Sequence, residues 1–227
     1  KPDAVDAMTL TTENTGITVQ ALPTKYPQGG EKQLIKALTG REIPPGKLPM
    51  DMGCAVFNVD TCASLDRKLS RGLPLVRRVV TVSGEAVVNP KNVLVPIGTS
   101  YTDLFRFCDG FSTAPYKIIN GGPMMGSAQH TLDAPVIKNT SALLAFSGEE
   151  ESFAENPACI RCGRCVSACP MRLMPNYIYM YAQKGDFEQC MALNVQDCIE
   201  CGCCSYSCPG RLYLVQAMRM AKSRIPR

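Results

Sequence analysis

The chain has 227 residues, 45% of them hydrophobic, and a formal net charge of +4 at pH 7. That length holds roughly one to two ordinary domains; the charge is too small to argue for nucleic acid, and no apolar run approaches the roughly 18 residues that cross a bilayer. The single histidine, His130, sits between Gln129 and Thr131 and reads as a surface residue rather than an acid–base catalyst. The chain opens at Lys1 with neither an initiator Met nor a targeting signal, which reads as a piece of a longer protein.

Residues 1–75 read as α/β. Ile17 to Leu22 alternates as a strand does, and Tyr26-Pro27-Gln28-Gly29-Gly30-Glu31 is a glycine-containing turn. Gln33 to Thr39 has helical spacing, with Leu34, Ile35 and Leu38 on one side and Gly40 as a stop. Four helix-breaking residues, Pro44, Pro45, Gly46 and Pro49, make 41–53 a loop. Cys54 to Val59 is short and apolar. Asp60 to Arg71 forms a helix with Leu65 and Leu69 four apart, ended by Gly72-Leu73-Pro74.

Residues 76–148 change character. Val79 to Ser83 is rich in β-branched residues. Ala86-Val87-Val88 follows, then a turn at Asn89-Pro90-Lys91-Asn92 and a returning strand at Val93 to Ile97, which together make a hairpin. Ser100 and Asp103 form a capping box for a helix ending near Gly110. Ile118-Ile119 and Ala142 to Phe146 are further short strands, completing a β-grasp-like unit. The loop Gly121-Gly122-Pro123-Met124-Met125-Gly126 reads first as a tight turn needing positive φ, and second as a close backbone approach to a ligand or a neighbouring subunit. Nothing after it makes it a phosphate-binding loop.

Glu149-Glu150-Glu151 is an acidic linker, and a cysteine module follows from about 152 to 223. Cys159, Cys162, Cys165, Cys169 and then Pro170 form one run; Cys198, Cys201, Cys204, Cys208 and then Pro209 form a second. Each is C-x2-C-x2-C-x3-C-P, the spacing of bacterial two-cluster ferredoxins, in which the last cysteine of a run serves the other cluster. That assigns Cys159, Cys162, Cys165 and Cys208 to one [4Fe–4S] site, and Cys198, Cys201, Cys204 and Cys169 to the other. Both sets are complete, so the clusters should carry electrons rather than bind substrate. Zinc and disulfides are the competing readings. Structural zinc takes pairs of C-x2-C with a longer spacer and has no use for the third cysteine or the trailing proline, and disulfides need an oxidising compartment.

Five cysteines stand outside the runs. Cys54, Cys62, Cys108 and Cys190 are expected to be small buried hydrophobes, and Cys203, beside a candidate ligand, is expected on the cluster pocket. Thirteen reduced cysteines imply a reducing cytoplasm. Met174 to Leu193 reads as helices broken at Gly185, and Leu212 to Ala221 as a helical face. The last 17 residues carry Arg211, Arg219, Lys222, Arg224 and Arg227 with no acid, a charge that suits a helix C-terminus.

The double cysteine run, the loop Asn120 to Gly126 and the turn Tyr26 to Glu31 together resemble the C subunit of the Rnf electron-transport complex, across nearly the whole chain and over the C-terminal half of a typical member. The family is similar to the flavin subunit of respiratory complex I. The likeness implies an α+β multidomain protein with three parts: the rear of a Rossmann-like α/β FMN/NADH domain at 1–75, an SLBB β-grasp domain at 76–148, and a mainly helical two-cluster ferredoxin domain at 149–227. It implies a peripheral, NAD-side subunit on the cytoplasmic face of the membrane, in a complex that couples electron flow between ferredoxin and NAD to Na⁺ or H⁺ movement. Its partners would be the Rnf-type membrane and ferredoxin-like subunits and NAD(H). Gly29, Gly30, Glu31, Asn58 and Thr61 match the FMN/NADH pocket of the complex I subunit in part, with Gly30 and Asp60 each standing where that pocket has glutamate. The glycine-rich flavin loop of that family has no counterpart in these 227 residues. Two other readings are a cobalamin reductase of a bacterial microcompartment, whose architecture looks similar, and a redox-sensing binding module.

Overall fold

The computed structural model describes residues 1–148 and 158–225; the acidic triplet 149–151 and Arg227 lie outside them. Two compact units emerge, Lys1–Ile43 and Pro44–Arg227.

The first unit holds α1 (Pro2–Thr12) and α2 (Glu31–Thr39). α1 has proline in its first turn, where a missing N–H costs nothing, and buries no residue. α2 buries Ile35 and stops at Gly40, whose left-handed backbone (φ 73) sends its N–H to Lys36 O. The strand expected at Ile17–Leu22 does not form; this stretch is irregular. Alternation supplies a face but no hydrogen bonds, and among the described residues of this unit no other strand offers itself for pairing.

In the second unit a 3₁₀ turn at Pro49–Met52 leads to α3 (Val59–Arg71). Asn58 caps α3, its side chain accepting from Asp60 N at 2.9 Å, and Gly72 (φ 68) closes it. α3 buries none of its residues, and Leu65 and Leu69 are 58% and 77% exposed. Five strands follow as one sheet: β1 (Arg77–Ser83), β2 (Lys91–Pro96), β3 (Lys117–Asn120), β4 (Ser127–Gln129) and β5 (Ala142–Phe146), in the order β2-β1-β5-β3-β4. β1 and β2 form the expected antiparallel hairpin, Val80 opposite Val93. β1 and β5 run parallel, with Thr81 opposite Ala142. Ala86-Val87-Val88 is connection, not strand; Val87 makes only a lone bridge to Phe111.

Alternation along β1 buries Val80 and Val82 while Val79 stays exposed. α4 (Tyr101–Phe107) is capped by Ser100, whose hydroxyl accepts from Asp103 N at 3.1 Å. It lays Leu104 and Phe105 on the buried valines, and the rings of Phe105 and Phe111 stand 4.7 Å apart. Tyr101, 2% exposed, keeps its hydroxyl satisfied by accepting from Asn120 Nδ2 at 2.9 Å, which ties α4 to the end of β3.

The rest is helical: α5 (Arg164–Ser167), α6 (Pro175–Lys184), α7 (Phe187–Ala192), α8 (Cys203–Tyr206) and α9 (Leu214–Arg224). Gly185, left-handed at φ 74, ends α6, and Asp186 caps α7 by accepting from Gln189 N. α9 begins two residues later than the expected face, leaving Leu212 buried ahead of it. Ile178, Ala182, Cys190, Val195, Met218 and Ala221 form the core between these helices. No helix among the described residues is long and apolar enough to cross a membrane.

Candidate metal centre

The two cysteine runs fold as copies of one loop. Each places a left-handed, non-glycine residue two positions after its first cysteine, Arg161 (φ 57) and Glu200 (φ 56). Each puts a left-handed glycine after its second cysteine, Gly163 (φ 74) and Gly202 (φ 85), and a left-handed arginine three positions after its last, Arg172 (φ 55) and Arg211 (φ 49). Such backbone is uncommon outside glycine and persists where surrounding structure over-determines it. It turns the chain tightly enough for each run's first three cysteines to face one space, with a short helix, α5 or α8, carrying the third.

Cys159, Cys162 and Cys165 line one cavity together with Cys208 from the second run. Cys198, Cys201 and Cys204 line another together with Cys169 from the first run. Each proline-terminated fourth cysteine thus lies with the opposite run's first three. The remaining walls are largely apolar: Leu212, Leu214 and Pro209 at the first cavity, Leu173, Val215 and Met218 at the second.

The sulfurs stand around a volume rather than closing on a point. Among the described residues no three Cys, His, Asp or Glu side chains approach closely enough to hold a single metal ion. Backbone N–H groups are aimed at them: Leu173 N lies 3.3 Å from Cys169 Sγ and Glu200 N 3.4 Å from Cys198 Sγ. Burial, with the neighbouring Cys198 next, pushes the Cys204 thiol up to about 12. Burial also raises Cys165 and Cys198, although backbone N–H groups pull against it at both. Four thiolates this close ionise together only around a positive core, so the donor set suits a polynuclear iron centre and its N–H donors suit ligating sulfur.

The two cavities differ in exposure. Cys159 and Cys162 are exposed, whereas Cys201 and Cys204 are buried and Cys169 and Cys198 half-buried. The second is also braced by the loop after β3. Met124 O would stand 3.0 Å from a Cβ on Gly202, so only glycine leaves the two backbones their spacing. In that loop Gly121 has φ 107, and a Cβ on Gly126 would meet Gly122 O at 2.6 Å and Asn120 O at 2.8 Å. The glycines make the tight turn expected from their spacing, and the backbone that the turn approaches is this chain's own, at Gly202.

Cys203 is not on the lining of the second cavity; it is hydrogen-bonded to the Cys201 side chain, with its own thiol pushed up to about 11 mainly by burial. Of the four cysteines expected to be buried, Cys108 and Cys190 are, but Cys54 is half-buried and Cys62 exposed. Cys62 lies on α3, which buries nothing. His130 is exposed. Gly29, Gly30 and Glu31 lie in the first unit, where Gly30 caps α2 and Glu31 begins it; Asn58 and Thr61 lie in the second, at the start of α3. Missed from sequence was the role of Glu200, which holds two cations of α9, Lys222 and Arg219. Its only signal was its place, opposite Arg161 in the repeat.

Three family descriptions match the chain: a Nuo51 FMN-binding domain over residues 1–67, an SLBB domain over 79–128, and a 4Fe-4S dicluster domain over 152–209. Fold, paired cavities and the dicluster match define an α+β iron–sulfur protein of the two-cluster ferredoxin class. Curated relatives narrow this. The C subunit of the proton-translocating ferredoxin:NAD(+) oxidoreductase complex of Clostridium ljungdahlii is 50% identical over 98% of this chain and 49% of its own length. The C subunit of the Na(+)-translocating complex of Acetobacterium woodii is 46% identical over 99% of the chain and 51% of its own length. The C subunit of the ion-translocating oxidoreductase complex of Rhodobacter capsulatus is 41% identical over 99% of the chain and 44% of its own length. The chain is therefore a homologue of the C subunit of the Rnf-type, ion-translocating ferredoxin:NAD oxidoreductases, and it spans about half the length of the curated relatives it matches.

Proposed function

We propose that this chain is the two-cluster electron-transfer part of an NAD-side subunit in an ion-translocating ferredoxin:NAD oxidoreductase, held at the cytoplasmic face of the membrane through its partner subunits. The observation that carries the reading is the pair of four-cysteine cavities, each completed by the other run's last cysteine. Cys159, Cys162, Cys165 and Cys208 hold the first [4Fe–4S] cluster, and Cys198, Cys201, Cys204 and Cys169 the second. When bound, each cluster supplies one-electron storage with little rearrangement. The residues do the rest: the sulfurs leave no position for substrate, the apolar walls exclude water, and the N–H donors stabilise thiolate charge. Exposed Cys159 and Cys162 make the first cluster the one a partner carrier reaches directly.

Anaerobically prepared protein should hold about eight irons and about eight inorganic sulfides per chain and absorb broadly near 400 nm. Zinc without sulfide overturns the reading.

For the flavin side, support comes from the FMN-binding match over 1–67 and from the partial likeness at Gly29, Gly30, Glu31, Asn58 and Thr61. These residues divide between the two compact units. In protein reconstituted with FMN, Glu31→Ala should slow reduction by NADH and leave the iron content unchanged. Unaltered NADH kinetics reject the assignment.

A further inference from the structure

The cysteine loops are copies in backbone but not in charge. Arg161 and Glu200 occupy the same place, two residues after the first cysteine of each run, with the same left-handed backbone. Glu200 is gripped by α9. Its Oε1 accepts from Lys222 Nζ at 2.7 Å and its Oε2 from Arg219 Nε at 2.8 Å. Lys222 Nζ also donates to the carbonyl of Cys198 at 3.0 Å, while Glu200 N–H points at the sulfur of the same cysteine. The side chains of Lys222 and Glu200 are only 25% and 27% exposed, so water screens them less than it screens an ordinary surface pair.

The ammonium of Lys222 thus has a fixed position against the backbone of one proposed cluster ligand, held by the Cys198 carbonyl itself as well as by an oxygen of residue 200 that a glutamine would retain. One-electron reduction adds a negative charge to a core already surrounded by four thiolates. A nearby fixed cation favours that reduced state and a nearby carboxylate disfavours it. We propose that Lys222 and Glu200 are positioning residues that set the reduction potential of the second cluster, acting through Cys198, with Lys222 raising it and Glu200 lowering it. Arg219, half-exposed, completes the hold on the carboxylate. The inference rests on the two-cluster reading above.

The test is an anaerobic redox titration of the full chain with dithionite and mediators, followed by electron paramagnetic resonance. Signals are assigned to each cluster with the Cys169→Ser and Cys208→Ser variants. Lys222→Met should move the second midpoint to lower potential, Glu200→Gln should move it to higher potential, and Lys222→Arg should leave it near the wild-type value. The first midpoint should hold in all three. A merely structural role moves both neutralising variants in one direction or strips iron from both. Shifts of equal sign, or no shift at full iron content, overturn the proposal. If Lys222→Met fails to hold its second cluster, Glu200→Gln decides alone: an upward shift supports the proposal and an unmoved midpoint overturns it. Wild-type protein without inorganic sulfide points instead to failure of the two-cluster reading.

Discussion

Cys169→Ser protein should keep the first cluster and lose the second, although residue 169 belongs to the first cysteine run; Cys208→Ser should do the opposite. In either variant iron and inorganic sulfide should each fall from about eight to about four per chain. The reason is geometric. Cys169 follows α5 but lines the cavity of Cys198, Cys201 and Cys204, and its charge bears on the thiols of Cys198 and Cys204. Cys208 lies with Cys159, Cys162 and Cys165, and its charge bears on Cys165. A hydroxyl is a much poorer ligand for iron than a thiolate, and neither cavity has a spare cysteine on its lining. Cys203, next to Cys204 in sequence, is off both linings and hydrogen-bonded to Cys201. Iron and sulfide analysis with electron paramagnetic resonance of the reduced variants separates the two outcomes. Loss of the first cluster in Cys169→Ser protein means that each run serves its own site.

The first three cysteines of each cavity were legible because their information is local, since spacing dictates which sulfurs a tight loop can turn toward one space; the crossed fourth came from the two-cluster ferredoxin pattern. The β1–β2 hairpin was legible for a similar reason, since β-branched alternation and the turn at Asn89-Pro90 lie within 20 residues of sequence, 77–96. Ser100 and Asp103 announced α4 through side chains only three residues apart. What stayed hidden depends on partners distant in sequence. β4, Ser127-Ala128-Gln129, has neither alternation nor β-branched residues and exists because β3 pairs with it. Ile17–Leu22 carries the alternation but has no strand among the described residues of its own unit to pair with, so pattern without partner yields irregular chain. The grip of Lys222 and Arg219 on Glu200 joins residues about 20 positions apart on a loop and a helix, and the basic C-terminal stretch alone pointed to no partner within the chain.

Gly84→Ala should destabilise the sheet by about 2–6 kcal/mol, combining backbone strain of about 1–3 kcal/mol with overpacking of about 1–3 kcal/mol. Gly84 has φ 116, and a Cβ there would strike Ala145: its carbonyl oxygen first, then its C and N at 2.7 Å each. The obstacle is backbone of β5, paired on its other edge with β3, so it has no flexible side chain to swing aside. Gly110→Ala is the control. Its φ is 77 but nothing lies within 4 Å of the added carbon, so only strain remains, and the loss should be about 1–2 kcal/mol. Urea unfolding followed by circular dichroism measures the difference, and equal losses overturn the clash as the cause. The consequence reaches the metal centre. β3 continues through Asn120 into the 121–126 loop, and Met124 of that loop abuts Gly202, between Cys201 and Cys204. A displaced β5 shifts that brace, so Gly84→Ala protein should lose iron from the second cluster before the first. Equal loss from both clusters means that the loop merely touches the second site without supporting it.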